Sequence, residues 1–162
     1  VLAGFGGHKL AAGVRLEPNQ LERFREAFEQ VVADELGGQP LTPALLLECE
    51  LDFQQASDSA FLQELELMQP FGAGNAEPVF ASPELTVVDR SPLGYSGDHV
   101  RLRLKDSASG ITLMAKGWNM ATAFPPSSVG SRIRVAYTPR LDYYRGVASI
   151  DVGIKDWQPV AD

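Results

Sequence analysis

Apolar residues recur at helical spacing from Leu21 through Phe24, Phe28, Val31 and Val32, a period that gathers them on one face of an amphipathic helix. Pro18 suits the first turn of that helix and Gly37-Gly38 its stop. Before it, Val14-Arg15-Leu16 alternates like a short strand. After it, Gln39 to Pro43 reads as a linker and Leu45 to Leu51 as a strand. The pattern predicts a second helix from Ser57 to Met68, with Ser57 or Asp58 near its cap and Phe61, Leu62, Leu65 and Met68 facing inward.

The periodicity changes beyond Pro70. The run PFGAGNAEPVF at 70–80 has the glycine and proline density of an ordered turn between domains. Gly72 and Gly74 are expected to supply unusual backbone angles, Phe71 and Phe80 to plug apolar gaps, and Asn75 and Glu77 to satisfy backbone groups. From there apolar residues alternate with polar ones. Strands are predicted at Leu85 to Val88 and its continuation, Val100 to Leu104, Ile111 to Ala115, Ile133 to Tyr137 and Val147 to Ile154. A short helix is predicted from Asn119 to Phe124, between the third and fourth strands. Five strands with that interruption match an OB-fold, a small Greek-key barrel whose face often takes oligonucleotides or oligosaccharides. The fold class expected is therefore α+β, a mixed α/β portion followed by a five-stranded antiparallel OB-fold β-barrel.

Composition narrows the function. The chain has 162 residues, 44% of them hydrophobic, and no apolar stretch approaches a membrane span, so no membrane partner is expected. It opens in mid-element without an initiator methionine or leader, which suggests a piece of a longer protein. Cys49 is the one cysteine and has no histidine or cysteine neighbours at zinc spacing; it fits a reducing cytoplasm and an inert place on a buried strand face. The net charge of −7 weighs against nucleic acid, but it is unevenly spread. Residues 1–79 hold four basic residues against thirteen acidic, and residues 80–162 hold ten against eight. Glu22, Glu26, Glu29, Asp34 and Glu35 fall on the solvated side of the first helix, leaving the second half able to present a positive stripe.

No set of residues in the sequence has the spacing of a complete catalytic site, for the two histidines, His8 and His99, are isolated and His99 beside Asp98 reads as an exposed turn residue. Single-stranded nucleic acid needs cations that track phosphates and aromatic faces that stack on bases. The second half contains both. Arg101, Arg103 and Lys105 share one strand face, while Tyr95, Lys116, Trp118, Arg140, Tyr143, Tyr144 and Arg145 fall near loops and strand ends. The same pattern is equally that of a barrel with Trp118 and Tyr137 in its core and a solvated arginine face.

Near the start, Gly6-Gly7-His8-Lys9-Leu10-Ala11-Ala12-Gly13 places a histidine after two glycines. Such a loop with positive φ can aim backbone N–H groups at a phosphate, and it can equally be a tight turn feeding a strand. With PFGAGNAEPVF some sixty residues later and a barrel beyond, the chain resembles the C-terminal part of the RecJ family of single-strand-specific DNA exonucleases. The first motif alone resembles the DHHA1 domain of the wider DHH phosphoesterase superfamily. The resemblance implies a DHHA1 portion at 1–69, an ordered linker at 70–80 and an OB-fold for single-stranded nucleic acid at 81–158. It implies that Gly6, Gly7 and His8 bind a substrate phosphate, and that a divalent metal, Mn or Mg, is held by a DHH domain outside this chain. It further implies 5′-to-3′ degradation of single-stranded DNA in recombination and repair, with this portion alone inactive. Single-strand-binding protein is a partner if the barrel serves for docking, and an oligonucleotide phosphodiesterase of the same superfamily is the remaining alternative. Two positions depart from the family pattern: Ala76 stands where PFGxGNPEP has proline, and Asp142 stands where the turn before Tyr143 usually has asparagine.

Overall fold

The structure, a computed structural model, describes residues 2–143, 146 and 148–160, and its contacts divide the chain into two units, Val1–Leu45 and Leu46–Asp162. In the first unit, β1 (Gly4–His8) and β2 (Ala11–Arg15) form an antiparallel hairpin that turns at Lys9-Leu10. The glycine run is therefore strand rather than a positive-φ loop, and the positive-φ glycines lie elsewhere, beginning with Gly37. Gly7 is needed for a different reason: a Cβ there would come within 2.6 Å of Ala12 Cα and 2.7 Å of the Ala11 carbonyl oxygen. A 3-10 turn at Pro18–Gln20 leads into α1 (Leu21–Glu35). That helix stops where Gly37 and Gly38 take φ of 58° and 73°, and the Gly38 N–H donates back to the Ala33 carbonyl at 3.1 Å. No described residue of this unit is buried, because one ribbon and one helix provide no second layer to enclose a core.

The second unit begins with an extended segment that makes a single parallel bridge, Glu50 to Ala81, in place of the expected strand. Cys49 is exposed, a correction to the buried position expected of it. The segment enters the core only at Leu51 and Phe53, two and four residues on. Helix α2 (Ser59–Leu67) is capped by the Asp58 carboxylate, which accepts the Ala60 N–H at 2.9 Å. Leu62 is buried and Phe61 and Leu65 pack on the core, whereas Met68, beyond the last turn, is largely exposed. Since α2 lies against the sheet, it belongs with residues 46–162 and not with residues 1–45.

The 70–80 turn is held by Asn75, whose side-chain amide donates to the Met68 and Pro70 carbonyls at 2.8 and 2.9 Å, around a cis Gln69–Pro70 bond. Gly74 has φ of 82°, as expected; Gly72 instead pairs with Asn75 in a bridge. Phe80 is buried edge-to-face on Phe61. Glu77 accepts from cationic side chains of the sheet and not from the turn's backbone.

The main sheet contains β3 (Phe80–Ala81), β4 (Leu85–Leu93), β5 (His99–Asp106), β6 (Thr112–Gly117), β7 (Arg132–Asp142) and β8 (Ser149–Pro159). Pairing runs β7–β4–β5–β6–β8 and returns to β7, so five strands close a ring with β3 added on β7. Four of the ring's pairs are antiparallel, but β6 and β8 are parallel through Ala115–Val152, Lys116–Gly153 and Gly117–Ile154. This corrects the all-antiparallel expectation on grounds of parity: around an odd-numbered ring, strand direction cannot alternate throughout. Asn119 to Phe124 makes turns, not a helix, because Asn119 takes φ of 58° and Pro125-Pro126 follow at once.

Strand β5 shows why the ring is stable. Val100, Leu102 and Leu104 are fully buried between exposed neighbours, each contributing about 1.5–3 kcal/mol by its removal from water. Asp106 ends the strand inside the protein. It accepts the Ser109 hydroxyl at 2.6 Å and the N–H groups of Ala108 and Phe53 at 2.8 and 3.3 Å, tying the 51–53 segment to the β5–β6 turn. Burial acts to raise the Asp106 carboxyl, yet these hydrogen bonds outweigh it and hold the group below the ordinary aspartate range. Tyr137, pushed well above the usual phenol range by burial and by the Asp52 and Asp106 carboxylates, stays neutral and donates to the Leu51 carbonyl at 2.8 Å.

Asp106 thus contributes stability that is present above the ordinary aspartate pKa and lost as pH falls through its depressed folded value. Asp106→Asn is expected to lower the unfolding free energy by about 1–3 kcal/mol at neutral pH. The gap from the wild-type chain narrows in acid, as urea titrations at a series of pH values will show.

Candidate nucleic-acid interface

Register decides which side chains share a surface. The exposed residues of β5, Arg101, Arg103 and Lys105, stand opposite Lys116, Met114 and Thr112 of β6. Past Arg101 and Lys116, His99 and Trp118 meet edge to face with ring centroids 4.8 Å apart, and the Asn119 N–H donates to His99 Nδ1 at 3.0 Å. His99 is therefore a half-buried support for the neighbouring indole and not a free turn residue. Trp118 is 56% exposed while Tyr137 is wholly buried, so these two aromatics have opposite roles. Tyr95 is fully exposed in the loop between β4 and β5, and Tyr143 is exposed just after β7. Tyr144 and Arg145 lie outside the described residues.

The basic residues fall into two groups. Among the described residues, Arg101, Arg103 and Lys105 make no ion pair or side-chain hydrogen bond. Lys116 and Arg140 are differently placed. Lys116 Nζ lies 2.8 Å from Asp151 and 4.0 Å from Asp142. Arg140 donates to one oxygen of Glu77, and Lys155 reaches the other at 2.8 Å. The sequence reading missed Lys155. Ala136 pairs with Asp156 and Tyr137 with Ile154, which leaves Lys155 as the extra residue of a bulge, with its side chain aimed at Glu77. Burial acts to raise the Glu77 carboxyl, but hydrogen bonds and charge from Lys155 and Arg140 outweigh it and hold the group below the ordinary glutamate range. Trp118, Met120, Arg140, Asp151 and Lys155 surround a groove of about 260 Å³ over Gly153.

A second bulge shapes the loop that carries Trp118. Val87 faces Leu104 and Asp89 faces Arg103, so the phase of β4 shifts and Arg90 comes opposite the buried Leu102. Its guanidinium donates to the Phe124 and Ala121 carbonyls at 2.9 and 3.4 Å.

Gly6, Gly7 and His8 all lie on β1 of the first unit, where His8 is exposed. Among the described residues no three His, Cys, Asp or Glu side chains come together as metal ligands. Glu77 and Asp151 are committed to cations, so this donor set does not fit a divalent metal. No described helix is long and apolar enough to cross a membrane.

A family model described as the RecJ OB domain matches residues 47–156. The chain belongs to the RecJ OB-domain family. The single-stranded-DNA-specific exonuclease RecJ of Haemophilus influenzae is 28% identical over 159 residues, which are 96% of this chain and 27% of that protein. Its Escherichia coli counterpart is 24% identical over 161 residues, 96% of this chain and 26% of that protein. The chain thus spans about a quarter of the curated relatives it matches. The crystal structure of Thermus thermophilus RecJ with Mn²⁺ superposes with a TM-score of 0.67 at 24% identity, covering 99% of this chain and 22% of that one. The Mg²⁺ form gives 0.66 at 26% identity, over 99% of this chain and 24% of that one. In this RecJ OB domain the two tryptophans are set apart by packing: Trp118 is exposed, whereas Trp157 packs on buried Phe124 with centroids 4.7 Å apart. Trp118→Ala is expected to lower the unfolding free energy by about 1 kcal/mol, through loss of its edge-to-face contact with His99. Trp157→Ala is expected to cost clearly more, with denaturant titration as the readout for both.

Proposed function

We propose that this chain holds single-stranded DNA for a RecJ-type exonuclease that degrades DNA 5′ to 3′ in recombination and repair. One observation carries the reading: a row of uncompensated cations, Arg101, Arg103 and Lys105, runs beside an exposed, supported Trp118 on the outer face of a RecJ OB domain. Phosphates follow the cations and a base stacks on the indole. Tyr95 and Tyr143, both exposed, offer further faces for bases; the parts expected of Tyr144 and Arg145 fall on residues outside the described ones. The first unit belongs to a DHHA1 domain in which Gly6, Gly7 and His8 contact a substrate phosphate, the bare strand letting the phosphate approach the backbone. Hydrolysis belongs to a DHH domain that holds a divalent metal, Mn or Mg, and the protein works in the cytoplasm.

The chain is expected to bind labelled oligothymidylate with an affinity that falls with salt at a log–log slope of about −0.7 per phosphate neutralised. Trp118→Ala removes about 1–3 kcal/mol of that affinity without changing the slope, and Arg101→Ala flattens the slope by about 0.7. Absence of binding at the lowest salt would favour docking of a protein such as single-strand-binding protein. The purified chain is further expected to leave single-stranded DNA uncut in the presence of manganese, and degradation by a clean preparation would overturn the division of labour proposed here.

A further inference from the structure

We infer that Glu77 and Asp151, with Asp142 as the third carboxylate, confine the DNA strand to the β5 face, by neutralising Arg140, Lys155 and Lys116 so that the neighbouring groove takes no phosphate. The inference rests on the DNA-binding reading above and assigns opposite roles to basic residues that the sequence presents alike. Among the described residues β5 to β8 carry eight cations; Arg132 and Arg134 pair with Glu84 and Glu50, and the other six divide into two groups of three. Arg101, Arg103 and Lys105 have no acidic partner among the described residues. Arg140 and Lys155 share the Glu77 carboxylate, while Lys116 lies 2.8 Å from Asp151 and 4.0 Å from Asp142. Asp151 is also the β8 residue paired with Arg140, so it stands between Lys116 on one side and Arg140 on the other.

The physics favours exclusion over exchange. Binding a phosphate gains affinity through release of the counterions condensed on it, and a lysine already neutralised by a tethered carboxylate releases none on balance. Nor is the carboxylate easily displaced: the Glu77 side chain is only 17% exposed, so expelling it from both cations would leave a mostly buried charge unpaired. A strand laid across the groove would meet the Asp151 carboxylate, 29% exposed, before any free cation. The groove is apolar on the side of Trp118 and Met120, yet it is electrically closed to the backbone of DNA. The strand is thereby directed along Lys105, Arg103 and Arg101 toward the indole, rather than spreading over the whole basic surface.

Salt titrations of oligothymidylate binding by the full chain test this. In the wild-type background Arg140→Ala and Lys155→Ala leave the log–log slope unchanged, while Arg101→Ala flattens it by about 0.7. Glu77→Gln steepens the slope by about 0.7 to 1.4, one or two phosphates, and tightens binding at low salt. Asp151→Asn, a more exposed substitution that keeps the test alive if Glu77→Gln does not fold, also steepens it by leaving Lys116, opposite Arg101, with its longer 4.0 Å contact to Asp142 in place of the 2.8 Å pair. A flatter slope in Arg140→Ala or Lys155→Ala, or wild-type slopes in both acid variants, would overturn the inference while leaving the DNA reading intact. Absence of binding by the wild-type chain and every variant would overturn the DNA reading, and this inference with it.

Discussion

Five strands cannot close a ring with every neighbour antiparallel, and the arrangement of the second unit depends on where the one unavoidable parallel pair falls. It falls between β6 and β8. A parallel seam brings the outward residues of two strands distant in sequence to the same level, here Lys116 beside Gly153 with Asp151 within reach. Had the seam lain elsewhere, Lys116 would not have met Asp151, and the groove beside Trp118 would have had other walls. The seam also places an uncrowded glycine, 153, where a side chain would otherwise fill that groove.

Upon that ring, two one-residue bulges redirect particular side chains. The bulge in β4 turns an arginine inward toward loop carbonyls, and the bulge in β8 turns a lysine toward a carboxylate more than seventy positions earlier in the chain. Both add charge where regular alternation would have put something else. Buried polar groups are fully accommodated around them: Ser82 accepts the Val135 N–H, Thr138 donates to the Pro78 carbonyl and Asp106 is saturated, with no buried side-chain nitrogen or oxygen among the described residues left without a partner. The extended 47–53 segment, the 70–80 turn and the ring are thus one hydrogen-bonded body.

The elements that depend on local period were legible in the sequence. Val100 to Leu104 alternates in burial as it alternates in polarity, and α1 runs between the proline and the paired glycines that mark its ends. The parallel seam was also deducible, since five strands and closure suffice to require it. What was not legible depends on register across long separations. Nothing near Glu77 in sequence says that Arg140 and Lys155 will converge on it, sixty-three and seventy-eight residues on. The exposure of Cys49 has the same origin, because its surroundings are set by where its segment leaves the core. Gly6-Gly7 misled because glycine fits both a positive-φ loop and a crowded strand, and only the partner strand tells which.

The Arg90 guanidinium, donating to the Ala121 and Phe124 carbonyls, ties both ends of a short turn to β4. Trp118 enters that turn, and His99 braces its ring from the side. For the proposed role in holding single-stranded DNA, a base arriving at the indole would find a face already fixed in place. The entropy of ordering the platform is spent when the protein folds, so in such a complex the contact between ring and base would be felt almost undiminished in its lifetime.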